Sequence, residues 1–217
     1  TLDDDDPPQT PEMIAEIEAL AEGLVADGSP VGGVGLCGGR FDLARGRLVT
    51  VPDAELVGAV ASSWLGGNQL PCYRIGAVRR VGVFDPRYFI NFEELDYGLR
   101  MLDHGLVLYA HGPLWRRERT RLGRPAELAA GRRLGEPHWR RYYSVRNLVF
   151  LLRARHRWRA AIAVTLVNLA KPLANAPRTP GLAIAHLRLN TRALADGWLG
   201  RMGRTVPPAP KTDRRRP

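Results

Sequence analysis

Four consecutive aspartates, Asp3 to Asp6, are the first residues in the sequence whose type and spacing could support chemistry. Alternate side chains of an extended backbone project to the same side, so Asp3 and Asp5 would face one way and the other two the opposite way. Two carboxylates at the end of one strand can hold Mg²⁺ or Mn²⁺ when phosphate oxygens complete the coordination. The alternative interpretation is a solvated acidic terminus, because four like charges in a row favour no regular element.

A second group of carboxylates, Glu93, Glu94 and Asp96, lies in the stretch NFEELDYGLR. The pattern predicts an aromatic strand at Tyr88 to Ile90, followed by a helix that begins at these acids and ends at His104-Gly105. Asp96 is the best candidate to cap the helix N–H groups, which leaves Glu93 or Glu94 free to act as a general base. A capping acid followed by a surface helix would explain the same cluster without catalysis.

The elements that must position these acids alternate between helix and strand. With 217 residues, of which 45% are hydrophobic and 25% charged, the chain falls in the ordinary globular class and is long enough for a packed core. The periodicity predicts the elements that follow: a helix over 11–26, a glycine-rich strand over 31–39, a strand over 46–51, a helix at GAVRRVG, and a strand over 106–110. This alternation is typical of an α/β sheet protein.

Charge divides the sequence into an acidic first half and a basic second half. Residues 1–105 carry 8 arginines against 17 acidic residues, whereas residues 106–217 carry 24 basic and 5 acidic residues. Such asymmetry suggests a polyanionic partner for the second half, either nucleic acid or an anionic membrane surface. The longest nearly apolar run, 160–170, is shorter than the roughly 20 residues that a spanning helix needs.

Long helices are predicted from residue 137 onward, including one over about 181–200, and the end of the chain from 205 has the composition of a disordered basic tail. The helix that contains Leu148, Val149, Leu151 and Leu152 also carries many arginines. It could lie on an anionic lipid leaflet with its apolar face buried. Alternatively, these apolar side chains pack on the catalytic domain while the arginines are solvated.

The order of these motifs resembles a known enzyme family. An apolar residue followed by Asp-Asp-Asp, a helix, a glycine-rich strand, Gly-Gly-Asn-Gln and then FDPRYFINFEELDYGLRMLDHG is similar to the second half of family 2 glycosyltransferases of the GT-A fold. Among them the chain most resembles bacterial rhamnosyl- and galactofuranosyltransferases of cell-wall polysaccharide synthesis. RRYYSVRNLVFLLR, at 140–153, is similar to a helix that follows the catalytic domain in those enzymes. The resemblance extends from residue 2 to about 204.

The resemblance implies roles for individual residues. Asp3 and Asp5 would hold Mg²⁺ or Mn²⁺ on the nucleotide-sugar diphosphate, and Glu94 matches the catalytic base, which is usually aspartate in the family. Glu93 and Asp96 would support Glu94. The implied substrate-binding residues lie in two further segments of the chain: Trp64, Gly66, Gly67, Asn68, Gln69, Trp115 and Arg116.

Two departures from the family pattern are visible. Related enzymes often have a metal-binding histidine beside a tryptophan after the strand at 106–110, whereas here Arg116 follows Trp115. Arg116 could instead contact the diphosphate directly, and His111 is a weaker substitute because its register differs. The family's nucleotide-binding first half has no counterpart ahead of Asp3, and the first residue is Thr1. The resemblance therefore implies an N-terminally truncated fragment, which we expect to bind nucleotide sugar poorly.

The resemblance predicts three regions: 1–125 as the second half of a GT-A catalytic domain, 126–204 as a helical region associated with the membrane surface, and 205–217 as the tail. It implies an inverting, metal-dependent transfer of a sugar from a nucleotide-diphospho-sugar to a cell-wall or lipid-linked polysaccharide, at the cytoplasmic face of the cell membrane. No nucleic-acid partner is expected from it. The alternatives are a basic nucleic-acid-binding protein, a glycoside hydrolase that uses two carboxylates, or a non-catalytic remnant of a glycosyltransferase.

Overall fold

The structure, a computed structural model, describes residues 10, 12–66, 70–121 and 139–207. Its helices and strands are α1 Glu12–Ala26, β1 Val31–Gly35, β2 Gly38–Asp42, β3 Arg47–Val49, β4 Ala59–Ser62, β5 Trp64–Leu65, β6 Cys72–Tyr73, α2 Ile75–Val81, α3 Glu93–Asp103, β7 Val107–His111, α4 Gly112–Arg121, α5 Trp139–Ala154, α6 Trp158–Asn175 and α7 Pro180–Leu199. A short 3₁₀ turn covers Asp53–Glu55.

The chain divides into two compact units. Unit 1 comprises Thr1–Leu43, Arg47–Asp85 and Glu93–Ala130. Unit 2 comprises Ala44–Gly46, Pro86–Phe92 and Gly131–Pro217.

Unit 1 is a mixed α/β structure with two small sheets. The four-stranded sheet has the order β4-β7-β1-β6, in which β1 and β7 are parallel and the other pairs are antiparallel. The second sheet has the order β3-β2-β5 and is antiparallel throughout. The predicted α/β class is therefore confirmed, and its sheet is mixed rather than purely parallel.

Two apolar clusters form the core of unit 1. One contains Leu56, Leu65, Tyr97, Met101 and Leu108, among others, and therefore joins α3 to both sheets. The other packs α1 against β1 and α4, with Met13, Ile17, Val34 and Leu114 among its members. Burial of these side chains is the main source of stability for the sheet that supports α3.

Several elements of unit 1 match the sequence-based predictions closely. The helix predicted over 11–26 is α1, the helix at GAVRRVG is α2, and the strand predicted over 106–110 is β7. The glycine-rich stretch 31–39 forms two strands instead of one, with a break at Leu36 and Cys37. Residues 40–42, which follow that stretch, continue β2 and pair with β3.

The aromatic strand predicted at Tyr88 to Ile90 is wrong. These residues belong to a loop of unit 2 in which the following residues, Asn91 and Phe92, have left-handed backbone angles, with φ of 66° and 71°. The rings are used for packing on α5 instead of strand pairing: Tyr88 meets Phe150 edge-on at 5.8 Å between ring centroids. Tertiary packing thus overrides the strand propensity of the aromatic residues.

Unit 2 is built from α5, α6 and α7. Almost every apolar residue of α5 is buried, including Val149, Leu151 and Leu152, while Leu148 is half-buried. These side chains pack among the three helices. The apolar side chains of α5 therefore pack within unit 2, whereas the second interpretation places them on the catalytic domain with all the arginines solvated; Arg146 is buried. The buried apolar residues of α5 are not available to a lipid surface.

The Tyr-Tyr-x-x-Arg-Asn motif of α5 also faces the interior of unit 2. The Tyr142 hydroxyl lies 2.6 Å from a carboxylate oxygen of Asp196, and the Tyr143 hydroxyl donates to the carbonyl of Val206 at 2.6 Å. Arg146 is fully buried, lies over both tyrosine rings, and donates to the carbonyl of Gly203. The motif ties α5 to α7 and to the segment that follows α7.

Asn147, the last residue of that motif, holds the loop that precedes α3 in the chain. It is fully buried, and its amide donates to the carbonyls of Ile90 at 2.9 Å and Asn91 at 2.8 Å. The side chain of Asn91 in turn donates to Ser144 at 3.0 Å. These bonds fix the left-handed turn at Asn91 and Phe92, which would otherwise be costly for non-glycine residues.

Among the described residues, no helix is both long enough and apolar enough to cross a lipid bilayer.

Candidate active site

Glu94 lies in the first turn of α3 and is half-buried. Burial raises the pKa of its carboxyl group, the charge of the adjacent Glu93 raises it further, and a backbone hydrogen bond partly opposes the rise. A carboxylate whose pKa is raised toward the working pH is a better proton acceptor than an exposed one. The surroundings of Glu94 therefore favour proton acceptance by its carboxylate.

Tyr73, Phe84 and Tyr97 form an aromatic cluster, and Tyr73 lies close enough to Glu94 to be affected by its charge. Tyr73 of β6 packs edge-on against Tyr97 at 5.1 Å and against Phe84 at 5.8 Å between ring centroids. Burial raises the pKa of Tyr73 above its ordinary value, and the negative charge of Glu94 adds to the effect. The Tyr73 hydroxyl is buried and has no hydrogen-bond partner within the described residues. It stays protonated and retains an unused donor close to Glu94.

Gly98 allows α3 to lie directly against the strand region that carries Trp64. A Cβ atom at Gly98 would overlap the carbonyl oxygen of Ser63, so only glycine permits this approach. Glu94 precedes Gly98 by four residues and therefore lies on the same face of the helix. The base candidate and the Ser63-Trp64 segment are thereby held on one side of α3.

A cleft of about 740 Å³ opens in unit 1 beside this segment. Its described lining combines two tryptophans and two arginines with one aspartate and a series of backbone and aliphatic groups: Gly38, Gly39, Arg40, Leu48, Val49, Thr50, Val51, Pro52, Asp53, Trp64, Trp115 and Arg119. Glu94 is not in this set. The cleft has the volume and mixed apolar and polar lining expected for an organic ligand.

Trp64 forms one wall of the cleft and lies flat on β2. A Cβ atom at Gly39 would lie only 2.5 Å from the Trp64 ring, so the glycine creates the space for the indole. The indole N–H of Trp64 is buried and has no acceptor within the described residues. The ring is therefore fixed by packing, while its N–H remains available for a ligand oxygen.

Helix α4 contributes Trp115 and Arg119 to the lining of the cleft. Arg119 lies over the Trp115 ring at 5.0 Å and donates to the carboxylate of Asp53 at 2.7 Å and to the carbonyl of Val51 at 2.8 Å. Arg116 donates to the backbone carbonyl of Asp53 at 2.5 Å. Arginine and aspartate beside an indole provide hydrogen-bond donors and acceptors at the edge of an apolar surface.

The predicted supporting acids have different surroundings. Asp96 accepts a hydrogen bond from Arg100 at 3.0 Å, and Arg100 also donates to the carbonyls of Val81 and Val83. This arrangement ties the middle of α3 to the end of α2. Glu93 lies beside Glu94 and acts on it through its charge. The structure thus gives the three acids three distinct environments within one helical turn.

His111 ends β7 and faces α1. Its Nδ1 atom accepts a hydrogen bond from the backbone N–H of Leu114 at 3.2 Å, so the proton of the neutral ring is on Nε2, which lies 3.9 Å from Glu16. Burial lowers the pKa of His111, with the nearby Glu16 opposing that change. The histidine is therefore neutral at physiological pH and is part of the contact between β7, α4 and α1.

Several predicted site residues lie outside the described ranges. They are Asp3, Asp5, Gly67, Asn68 and Gln69. Gly66 is described and buried, and its N–H donates to the carbonyl of Cys37 at 3.1 Å. In the part of the chain that the structure describes, no group of three His, Cys, Asp or Glu side chains could hold a metal ion.

The structure adds four residues that the sequence alone did not indicate: Arg40, Asp53, Tyr73 and Arg119. Arg119 follows Trp115 by one helical turn, so recognition of α4 as a helix would have placed the two together. Arg40 lies in β2 and Asp53 in the 3₁₀ turn, and the folded chain brings both to the lining of the cleft. No local pattern marks Tyr73, because its significance depends on the burial of its hydroxyl.

Comparison of the chain with protein-family models, with curated proteins and with solved structures found no significant match, so the functional assignment rests on the site itself.

Proposed function

We propose that the chain is the acceptor-side part of a GT-A glycosyltransferase that transfers a sugar from a nucleotide-diphospho-sugar to a saccharide acceptor with inversion. The observation that carries the proposal is the presence in unit 1 of both a half-buried carboxylate with a raised pKa, Glu94, and a cleft lined by two tryptophans. The mixed sheet of unit 1, with β1 and β7 parallel, is compatible with the later part of that fold.

The cleft fits a carbohydrate better than a flat apolar ligand. A sugar ring presents an apolar C–H face, which can stack on Trp64 or Trp115, and a rim of hydroxyl groups, which need donors and acceptors. Arg119, Asp53 and the indole N–H of Trp64, which has no acceptor among the described residues, supply these. A polysaccharide acceptor is therefore the ligand class proposed for the cleft.

In the proposed reaction, the acceptor hydroxyl oxygen attacks the anomeric carbon of the donor sugar while Glu94 takes the hydroxyl proton. The bond between that carbon and the diphosphate oxygen breaks, and its electron pair leaves with the nucleotide diphosphate. Burial keeps Glu94 basic enough for this transfer. The adjacent Glu93 contributes by raising the pKa of Glu94 further.

A divalent cation on Asp3 and Asp5 is part of the same proposal, and it would supply neutralisation of the leaving diphosphate. Arg116 is proposed as a further contact for the diphosphate. At the cytoplasmic face of a membrane, the acceptor would be presented as a lipid-linked saccharide.

The proposal is tested by saccharide binding, which needs no donor. Saturation-transfer NMR with a panel of cell-wall oligosaccharides should detect binding to the chain, and Trp64→Ala or Trp115→Ala should weaken it about tenfold. Trp158→Ala, which removes an exposed tryptophan of unit 2, is the matched control and should leave binding unchanged. Binding that survives both cleft substitutions would overturn the assignment of the cleft.

The catalytic assignment has a separate test. With a nucleotide-diphospho-sugar and an oligosaccharide that the cleft binds, transfer should be lost in Glu94→Gln, while oligosaccharide binding is retained. Undiminished transfer by Glu94→Gln would show that another residue is the base.

A further inference from the structure

Helix α6 has apolar residues on its solvent-facing side as well as on its buried side, whereas an ordinary surface helix is polar towards solvent. Five large apolar side chains, Trp158, Ile162, Leu166, Val167 and Leu173, are between 47% and 60% exposed. Together with Ala163, Ala170 and Ala174 they cover most of one side of the helix, which we call the outer face of α6. A globular protein rarely leaves such a continuous apolar stripe in water.

The inward side of α6 is held by polar contacts within unit 2. Thr165 accepts a hydrogen bond from the indole N–H of Trp198 at 3.0 Å, and the side chain of Asn168 accepts one from Arg141 at 3.2 Å. The backbone carbonyl of Asn168 accepts a third from Asn190 at 2.7 Å. These contacts fix the rotation of α6 about its axis, so the helix cannot turn its apolar residues inward.

Charge identifies the partner of the outer face. Residues 139–207 contain 13 arginines and lysines against a single acid, Asp196, which is buried. Arg157 and Arg159 are exposed at the start of α6, beside Trp158, and Lys171 is exposed near its end. Cations at a helix N-terminus oppose the helix dipole, so the two arginines are not placed there to stabilise α6.

We infer that the outer face of α6 docks on an anionic lipid surface, with the helix lying in the plane of the leaflet. Apolar side chains then enter the headgroup boundary, where tryptophan is favoured, while the flanking arginines and Lys171 contact lipid phosphates. Nucleic acid fits less well, because its backbone is recognised by cations and hydrogen-bond donors rather than by an apolar stripe. The inference rests on unit 2 alone and is independent of the proposed transferase activity.

Vesicle flotation of the full chain tests the inference. Vesicles of equal parts phosphatidylglycerol and phosphatidylcholine should carry the wild-type chain upward, and vesicles of phosphatidylcholine alone should bind it much more weakly. Leu166→Asp should reduce binding to the anionic vesicles at least about tenfold, because it removes buried apolar area and adds repulsion. Leu102→Asp, an equally exposed leucine on α3 of unit 1, is the matched control and should bind as the wild type does.

A second pair of substitutions isolates the charge contribution. Arg159→Gln and Lys171→Gln should each weaken binding to the anionic vesicles by about fivefold. Neither substitution should change the weak binding to vesicles of phosphatidylcholine alone. Because all these side chains are exposed, circular dichroism and thermal melting should confirm an unchanged fold.

Three outcomes would overturn the inference. Equal vesicle binding by wild type and Leu166→Asp would remove the outer face from the contact. A dimer detected by light scattering without lipid, and dissociated by Leu166→Asp, would assign the face to a second copy of the chain. Duplex DNA binding that is lost in Arg159→Gln but kept in Leu166→Asp would assign the basic surface to nucleic acid.

Discussion

Glu94 illustrates how the same burial that favours proton transfer affects folding. Its pKa in the folded chain is raised above the unfolded value, so ionisation of Glu94 is less favourable in the folded state. At a pH below the pKa that Glu94 has in the unfolded chain, Glu94 is protonated in both states and does not lower the free energy of unfolding. As the pH rises above that value, the unfolded state loses its proton first and stability falls.

Glu94→Gln should therefore raise the melting temperature at about pH 8 and leave it nearly unchanged at about pH 4. The neutral amide has no ionisation to suppress, so the difference between variant and wild type should grow with pH. Thermal melts across this range measure it. Glu22→Gln, which changes an exposed acid of α1, is the control. A pH-independent difference at Glu94 would indicate a packing effect and contradict the raised pKa.

At the residue scale, the sequence indicates some residues of the candidate site and misses others. Glu94 can be selected from the sequence only through a resemblance, because periodicity leaves Glu93 and Glu94 equivalent. The structure adds the raised pKa of Glu94 and its charge interaction with Tyr73. The resemblance likewise indicates Trp64 and Trp115, and the structure shows that both line one cleft. The residues that complete the cleft, Asp53 and Arg119, meet through nonlocal contacts that no spacing rule reveals.

At the scale of elements, the position of α3 depends on a single glycine. Gly→Ala inside a helix ordinarily stabilises by up to about 1 kcal/mol, because alanine has the higher helix propensity. At Gly98 the new Cβ would overlap the Ser63 carbonyl oxygen, so the backbone must shift. The close approach of α3 to β5 reverses the usual sign.

Gly98→Ala should accordingly destabilise unit 1 by about 1 to 3 kcal/mol, as overpacking of a core does. Gly181→Ala in the first turn of α7 is the matched control, because nothing lies within 4 Å of its added Cβ, and it should be neutral or slightly stabilising. Urea titrations of both variants give the comparison. If Gly98→Ala also stabilises, α3 does not lie as close to Ser63 as described.

The loop before α3 depends on Asn147 in a comparable way. Asn147→Ala should destabilise unit 2 by roughly 1 to 3 kcal/mol, because it leaves the part-buried carbonyls of Ile90 and Asn91 without this donor. Asn175→Ala, at the end of α6, removes only a bond to its own helix and should have a much smaller effect. Equal losses in the two variants, measured by urea titration, would show that the loop does not depend on Asn147.

The same loop explains why part of the fold could not be predicted. Periodicity located α1, α2, α3 and β7 correctly, because each has an apolar pattern of its own. Tyr88, Phe89 and Ile90 have the composition of a strand, yet they pack on α5 and lead into two left-handed residues. Asn147, which is buried and distant in sequence, determines that conformation, and no local sequence pattern indicates it.

At the scale of the whole molecule, the uneven charge has a measurable effect on stability. Residues 139–207 contain thirteen cations and only one acid, so the cations repel one another in the folded state. Added salt screens such repulsion between exposed charges over distances beyond about 10 Å at 0.1 M. The balance of charge therefore makes stability depend on ionic strength.

Raising NaCl from about 20 mM to 300 mM should raise the melting temperature, in contrast to a protein stabilised by surface ion pairs. The double variant Arg159→Glu, Lys171→Glu should show a smaller increase, because it lowers the positive charge of unit 2 while changing only exposed side chains. A melting temperature that falls with salt would contradict net repulsion.

The outer face of α6 has a practical consequence for labelling. Lys171 and Lys211 are the only lysines in the sequence, and Lys171 is exposed at the edge of that face. After replacement of Lys211 by arginine, an amine-reactive dye applied at alkaline pH would attach at Lys171 and at the chain terminus alone. A polarity-sensitive fluorophore placed there would report directly what the helix touches, without the introduction of a cysteine.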